Sequence, residues 1–301
     1  MTDTAPIRPA GARVWLDAAR PRTLGAAVGP VLLGAAFAVD AGGAHFPSLL
    51  AALVCALLLQ VAANFANDYY DFLKGADTAA RVGPVRATAS GLVTPAQMRR
   101  ALALTLVAAF LLGLYLVWRG GWPILVIGVL SMLFAVLYTG GPYPLGYLGL
   151  GEVFVFIFFG PVAVAGTAYV QTLSFDPLAA VAGIGPGLFS VAILTVNNLR
   201  DRDEDGRTGK RTLAVRFGAR FARAEYALSL LAALLGVPAL LCALPGGHGG
   251  AFAALPVLVP AMFAVRTVSR ESGPALNRML GGTGKLLLLY SLLFGVGWVL
   301  W

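Results

Sequence analysis

Charge is what this chain has least of. Only 12% of its 301 residues are Asp, Glu, Lys or Arg, about half the share in a soluble domain. Against that, 58% are hydrophobic and the mean hydropathy is +0.81, which excludes a water-soluble globular domain. Histidine and cysteine are scarce too. His45 and His248 each stand in a short polar break, which argues against a haem or zinc centre. Cys55 and Cys242 lie far apart inside apolar runs and read as buried apolar side chains rather than a disulfide or metal pair. The first nineteen residues contain no apolar run, so no cleavable signal sequence is expected, and 1–19 reads as a short cytoplasmic segment.

What is present is apolar sequence in nine stretches near the ~20 residues that cross a bilayer. They fall at about 24–41, 47–70, 94–118, 123–138, 150–170, 178–199, 224–241, 251–268 and 285–301. Thr94-Pro95-Ala96-Gln97 reads as a capping box with proline at the first helical position. Thr139-Gly140-Gly141-Pro142-Tyr143-Pro144 cannot be helical. With nine spans and the N-terminus inside, 21 of the 22 basic residues are cytoplasmic and Arg119 alone is outside. Adding or removing one span would scramble that asymmetry, so the positive-inside rule predicts N-in and C-out. The net charge of +8 is then a topology signal, and no nucleic-acid partner is expected. The fold class is all-α: one polytopic domain over 1–301 in the inner (cytoplasmic) membrane, its oligomeric state open.

Seven of the fourteen acidic residues gather in two places, both at the cytoplasmic end of an apolar run. The first holds Asn67, Asp68, Asp71 and Asp77; the second holds Asp201, Asp203, Glu204 and Asp205. In each, two oxygen-bearing side chains stand at i, i+4 and share a helix face: Asn67 with Asp71, Asp201 with Asp205. A mixed-sign run ending one helix is ordinarily a solvated loop. Two runs with the same spacing on the same side argue for a site, since carboxylates at a membrane span need something positive to hold them.

Paired carboxylates suit a hard divalent cation, and magnesium in particular is held by a few carboxylates plus substrate phosphates. The interleaved cations Lys74, Arg81, Arg86, Arg200, Arg207 and Lys210 match the oxygens of a diphosphate. An apolar bundle behind them suits an apolar tail on that diphosphate. Tyr69, Tyr70, Tyr138 and Tyr143 offer π faces to an allylic cation, although Tyr138 and Tyr143 read first as ordinary interfacial aromatics. Glu152 opens a helix, where contact with the helix dipole accounts for it as well as catalysis does.

At Asn67-Asp68-Tyr69-Tyr70-Asp71, Asp77 and Asp201-(three residues)-Asp205 the chain resembles the UbiA superfamily of intramembrane prenyltransferases. Lys74-Gly75-Ala76-Asp77, Tyr138-Thr139-Gly140-Gly141-Pro142, Gly149-Leu150-Gly151-Glu152-Val153 and Asn197-Asn198-Leu199-Arg200-Asp201 look most like its menaquinone branch. The resemblance implies nine helices around a central cavity open to lipid. It also implies magnesium-dependent transfer of a polyprenyl chain from its diphosphate to an aromatic quinone precursor, 1,4-dihydroxy-2-naphthoate in that branch, with loss of the carboxylate. By position it makes Asn67, Asp71, Asp201 and Asp205 magnesium and diphosphate residues, with Asp68 and Asp77 supporting. It makes Lys74, Arg81, Arg200 and Lys210 diphosphate contacts. Rival readings are the same chemistry on hydroxybenzoate or a tetrapyrrole, a CDP-alcohol phosphotransferase, and a secondary transporter. The phosphotransferase signature Asp-Gly-x-x-Ala-Arg fails at Asp205-Gly206-Arg207-Thr208-Gly209-Lys210. Transport sites lie near the midplane on broken helices, whereas these acids stand at helix ends.

Overall fold

A chain this apolar must hydrogen-bond its backbone to itself wherever lipid surrounds it, and helices do so segment by segment. The computed structural model describes residues 11–76, 83 and 85–301, and these residues form helices and no strand. Asp77 and Arg81 lie outside the described residues.

Seven helical stretches are long and apolar enough to cross a membrane. Two are continuous, α3 (Phe46–Leu73) and α4 (Pro95–Gly120). A third, Gly151–Thr172, is broken into α6 (Gly151–Phe158) and α7 (Pro161–Thr172), and a fourth, Pro177–Arg207, into α8 (Pro177–Ala182) and α9 (Ile184–Arg207). The fifth, Leu213–Cys242, joins α10 (Leu213–Leu231) to α11 (Val237–Cys242) through a π turn. The last two end in α12 (Leu258–Arg270) and α13 (Asn277–Leu300). An eighth results if α1 (Ala12–Ala19) with its 3-10 turn and α2 (Gly25–Asp40), bent by 53° at their junction, count as one. The apolar α5 (Trp122–Leu137) is shorter. Each of the nine apolar stretches read from the sequence falls on one of these helices. However, α2 and α5 have only 16 residues each, about 24 Å of rise against a hydrocarbon core of about 30 Å.

The local signals act as read. Thr94 Oγ1 accepts from the Gln97 N–H at 3.2 Å while Gln97 Oε1 accepts from the Thr94 N–H at 2.9 Å, closing both halves of the capping box of α4. At the start of α3 the ring of His45 accepts from the Ser48 N–H. Cys55 is buried, but Cys242 faces outward, against the expectation that both are core residues.

The helices close into a ring through α2–α3–α4–α5, then α7 and α6, then α9–α10–α12–α13 and back to α2. The centre of that ring is not hollow. α2 leans across it onto α7 and α13, and a Cβ on its Gly34 would stand 2.5 Å from the Val164 carbonyl oxygen, so only glycine permits this approach. The side toward α9, α10 and α13 is filled by Phe189, Tyr226, Tyr290, Phe294 and Trp298. A cavity of about 270 Å³ remains among α2 to α7. A cavity open toward lipid is therefore present, walled by α2 to α7.

The two broken stretches touch at their breaks. A Cβ on Gly160 would lie 2.7 Å from the Gly183 carbonyl oxygen, and one on Gly183 would lie 2.6 Å from Pro161 Cα. Backbone meets backbone there, with no room for a side chain on either chain segment.

Candidate active site

The last two turns of α3 and of α9 carry the two acidic clusters. A helix C-terminus is the negative end of its dipole, so carboxylates there need cations nearby. The chain supplies them from its own loops. Asp71 is 1% exposed and accepts from three groups. Tyr147 Oη donates to its Oδ1 at 2.9 Å, while Arg86 Nη2 and Lys210 Nζ donate to its Oδ2 at 3.1 and 3.0 Å. Lys210 Nζ also stands 4.0 Å from Asp205 Oδ1. One ammonium thus bridges the two clusters, and these two distances place the carboxylate oxygens at most about 7 Å apart.

Asn67, one turn before Asp71, accepts from Thr139 Oγ1 at 2.9 Å. Lys74 Nζ donates to the Thr139 carbonyl at 2.7 Å and stands 4.6 Å from the centre of the Tyr147 ring. Lys210 approaches that ring at 5.0 Å, close enough for cation–π attraction. Burial draws the Lys74 ammonium below the usual lysine range, Asp71 pulls it back up, and Lys210 pushes it down again. Asn67 and Asp71 therefore share a face as their spacing requires, and that face meets the segment after α5.

The remaining cluster members are engaged differently. Asp68 is 2% exposed and accepts the backbone N–H groups of Ala87 and Thr88 at 2.9 and 3.0 Å, anchoring the loop that carries Arg86. Asp201 takes the Arg200 guanidinium through Nε at 2.7 Å. Arg200 also donates to Asn197 and Asn277, so this buried arginine ties α9 to the start of α13. Asp203 is solvent-facing and paired with Arg202. Arg207 and Tyr143 are exposed and stand apart from the site. Tyr70 packs edge-on against Tyr69 and under Gly140.

Tyr147 was not singled out in the sequence, yet it touches Asp71 and faces both lysines. The available signal was a tyrosine in the non-helical segment between two spans, next to Tyr143-Pro144. Two bonds hold that segment in place: Arg211 N–H donates to the Tyr147 carbonyl at 2.9 Å, and Arg216 Nη2 donates to the Leu148 carbonyl.

The cavity wall includes Tyr138, which directly precedes Thr139, and Gln60 and Ala63 on the same helix as Asn67 and Asp71. Apart from Cys55, Gln60, Ser131, Tyr138 and Thr167 its walls are apolar, and lipid-facing Phe110, Leu114, Leu125 and Val129 form part of its rim. The arrangement is a polar cluster rich in cations at the end of α3, with an apolar chamber open toward lipid along the same helix.

Among the described residues no three His, Cys, Asp or Glu side chains converge on one point. Two facing carboxylates and an amide still fit magnesium, which completes its shell with water and substrate phosphate oxygens. The Lys210 ammonium between Asp71 and Asp205 is the observation supporting that fit, since it shows a cation held by that pair.

A profile of the UbiA prenyltransferase family matches residues 27–280. The 1,4-dihydroxy-2-naphthoate octaprenyltransferase of Escherichia coli (strain K12) is 39% identical over 296 residues, covering 95% of this chain and 94% of that protein. The protein of the same name from Mycobacterium tuberculosis is 39% identical over 278 residues, covering 92% and 94%. The structure of a UbiA homolog from Archaeoglobus fulgidus bound to DMAPP and Mg2+ superposes with a TM-score of 0.64 at 13% identity, over 95% of this chain and 98% of that one. Family profile, relatives across nearly the whole length and a shared fold agree: the chain belongs to the UbiA prenyltransferase family.

Proposed function

We propose that the protein is a magnesium-dependent prenyltransferase that moves a polyprenyl chain from its diphosphate onto 1,4-dihydroxy-2-naphthoate. The observation carrying this reading is that Asp71 and Asp205, from opposite halves of the chain, stand around one ammonium, while the helix bearing Asp71 also walls an apolar chamber. The naphthoate acceptor is drawn from the relatives' names, and the prenyl diphosphate and magnesium also from the liganded archaeal structure.

In this reading Asn67, Asp71, Asp201 and Asp205, with Asp68 and Asp77 supporting, hold magnesium. Lys74, Arg81, Arg86 and Lys210 hold the diphosphate oxygens. Magnesium, when bound, neutralises charge that develops on the departing diphosphate. The allylic C–O bond breaks and the diphosphate leaves with the electron pair. Tyr70 and Tyr138 turn π faces to the allylic cation. A ring carbon of the naphthoate forms the new C–C bond, and the carboxylate leaves that carbon as carbon dioxide, returning its electron pair to the ring. The buried walls keep water from capturing the cation.

The same reading has nine spans, with the bilayer thinned where α2 and α5 cross, the N-terminus cytoplasmic, and the protein in the cytoplasmic membrane as one domain. The test is to incubate purified protein with labelled polyprenyl diphosphate and a panel of naphthoate, benzoate and tetrapyrrole acceptors. Prenylated naphthoate with release of carbon dioxide is expected. Transfer to another acceptor alone overturns the acceptor assignment, and no transfer to any overturns the enzyme reading.

A further inference from the structure

Within the chamber, one wall residue differs from its neighbours. Gln60 is the only amide among the lining side chains, and it lies on α3 seven residues before Asn67, about 10 Å deeper along the helix axis. Its amide is held in one orientation. Thr23 Oγ1 donates to the Arg20 carbonyl at 2.9 Å, which commits the hydroxyl proton and leaves the oxygen able only to accept. Gln60 Nε2 donates to that oxygen at 3.2 Å, and Asn64 Nδ2 donates to it at 3.1 Å. Asn64 is itself fixed by a second bond to the Ala19 carbonyl at 2.9 Å. The Gln60 nitrogen therefore faces Thr23, and no described residue donates to its Oε1. An oriented carbonyl acceptor on a largely apolar wall is selective, because a ligand without a donor leaves it unsatisfied.

We propose that Gln60 Oε1 accepts a hydrogen bond from a ring hydroxyl of the aromatic substrate and so sets which arene is positioned for attack, with Thr23 and Asn64 holding the amide. This deepens the prenyltransferase reading and rests on it. The depth suits the assignment: with the diphosphate at Asp71 and the allylic carbon below it, a two-ring arene beside that carbon spans the remaining distance to Gln60. Gln60 is a specificity and positioning residue here. It touches neither the diphosphate cations nor the carboxylates, whose partners are Arg86, Tyr147 and Lys210.

The test uses the full chain in lipid nanodiscs with 1,4-dihydroxy-2-naphthoate and the two analogues that each lack one hydroxyl. For Gln60→Leu, the expected result is an acceptor KM raised about tenfold with the KM for polyprenyl diphosphate unchanged. The penalty should shrink to less than about twofold for one of the two analogues, which identifies the hydroxyl concerned. Binding of the acceptor without diphosphate, followed by quenching of its fluorescence, should weaken in parallel. Thr23→Val keeps Gln60 but releases its amide, and about a threefold rise in acceptor KM is expected; it serves if Gln60→Leu does not fold. An unchanged acceptor KM in the folded variants, or an equal penalty on all three arenes, overturns this inference while the prenyltransferase reading stands. Failure of the unmodified chain to prenylate any hydroxyarene overturns the reading beneath it.

Discussion

Lys210 reaches Asp71 across 139 residues of sequence, its Nζ 3.0 Å from Oδ2. Helices α3 and α9 each pack mainly on other neighbours, so the two halves of the site are joined by the loops that follow them and not by side-by-side helix packing. If magnesium binds these carboxylates, the lysine competes for the same oxygens. Replacing it should separate two effects. Lys210→Met is expected to bind Mn2+ about tenfold more tightly without substrate, read by electron paramagnetic resonance, since one competing charge is gone. Its turnover should fall because a diphosphate contact is lost. Weaker or unchanged Mn2+ binding would count against the carboxylates as the metal site.

Asp71→Ala and Asp205→Ala are each expected to lower activity by at least about a hundredfold. EDTA should do the same to the unmodified protein, with recovery on adding Mg2+. Either variant turning over normally, or full activity in EDTA, ends the magnesium assignment.

Tyr147 offers a graded test. Tyr147→Phe removes the bond to Asp71 Oδ1 but keeps the ring that faces Lys74 and Lys210. A loss of about tenfold in kcat/KM is expected, or about 1.4 kcal/mol. Tyr147→Leu removes the ring as well and should lose several-fold more. Equal effects of the two would assign the role to the hydroxyl alone.

Asp68 should behave as a structural carboxylate. Its two backbone partners lose their acceptor in Asp68→Ala, at a cost of about 3 kcal/mol. The expected result is a lower Tm and faster proteolysis in the 83–94 loop, with metal binding weakened less than by Asp71→Ala. By contrast, Arg207→Ala and Tyr143→Ala, both at exposed positions, should change kcat/KM by less than about twofold. A larger effect of either would show that the exposed side chain turns inward during the reaction.

The order of helices and both acidic clusters were legible in the sequence because bilayer thickness and lipid polarity leave strong marks on composition. The capping box at Thr94 and the shared face of Asn67 and Asp71 follow from local spacing alone. Asp68 and Asp71 are three residues apart, and spacing could not show that one would take backbone N–H groups from the 87–88 turn while the other took side chains. Arg200 looked like a phosphate contact because it sits among aspartates. Only tertiary packing reveals that Asp201, Asn197 and Asn277 use its guanidinium. Tyr147 was hidden for the same reason, since a loop tyrosine acquires a role only from what the loop folds over. The close approach of α2 to α7 at Gly34 was likewise a long-range event.

The contact between Gly160 and Gly183 has a mechanical consequence. It lies at the opposite end of α9 from Asp205, about 30 Å away along the helix. Main chain against main chain leaves no side-chain rotamer to yield, so this crossing acts as a rivet. The ends of α3 and α9 are joined instead through the Lys210 side chain, which does have rotamers to change. An anion that takes Lys210 from its carboxylates at the charged end is therefore expected to leave this crossing unmoved. A disulfide joining the 85–94 loop to the 208–212 loop should stop turnover, and its reduction should restore it.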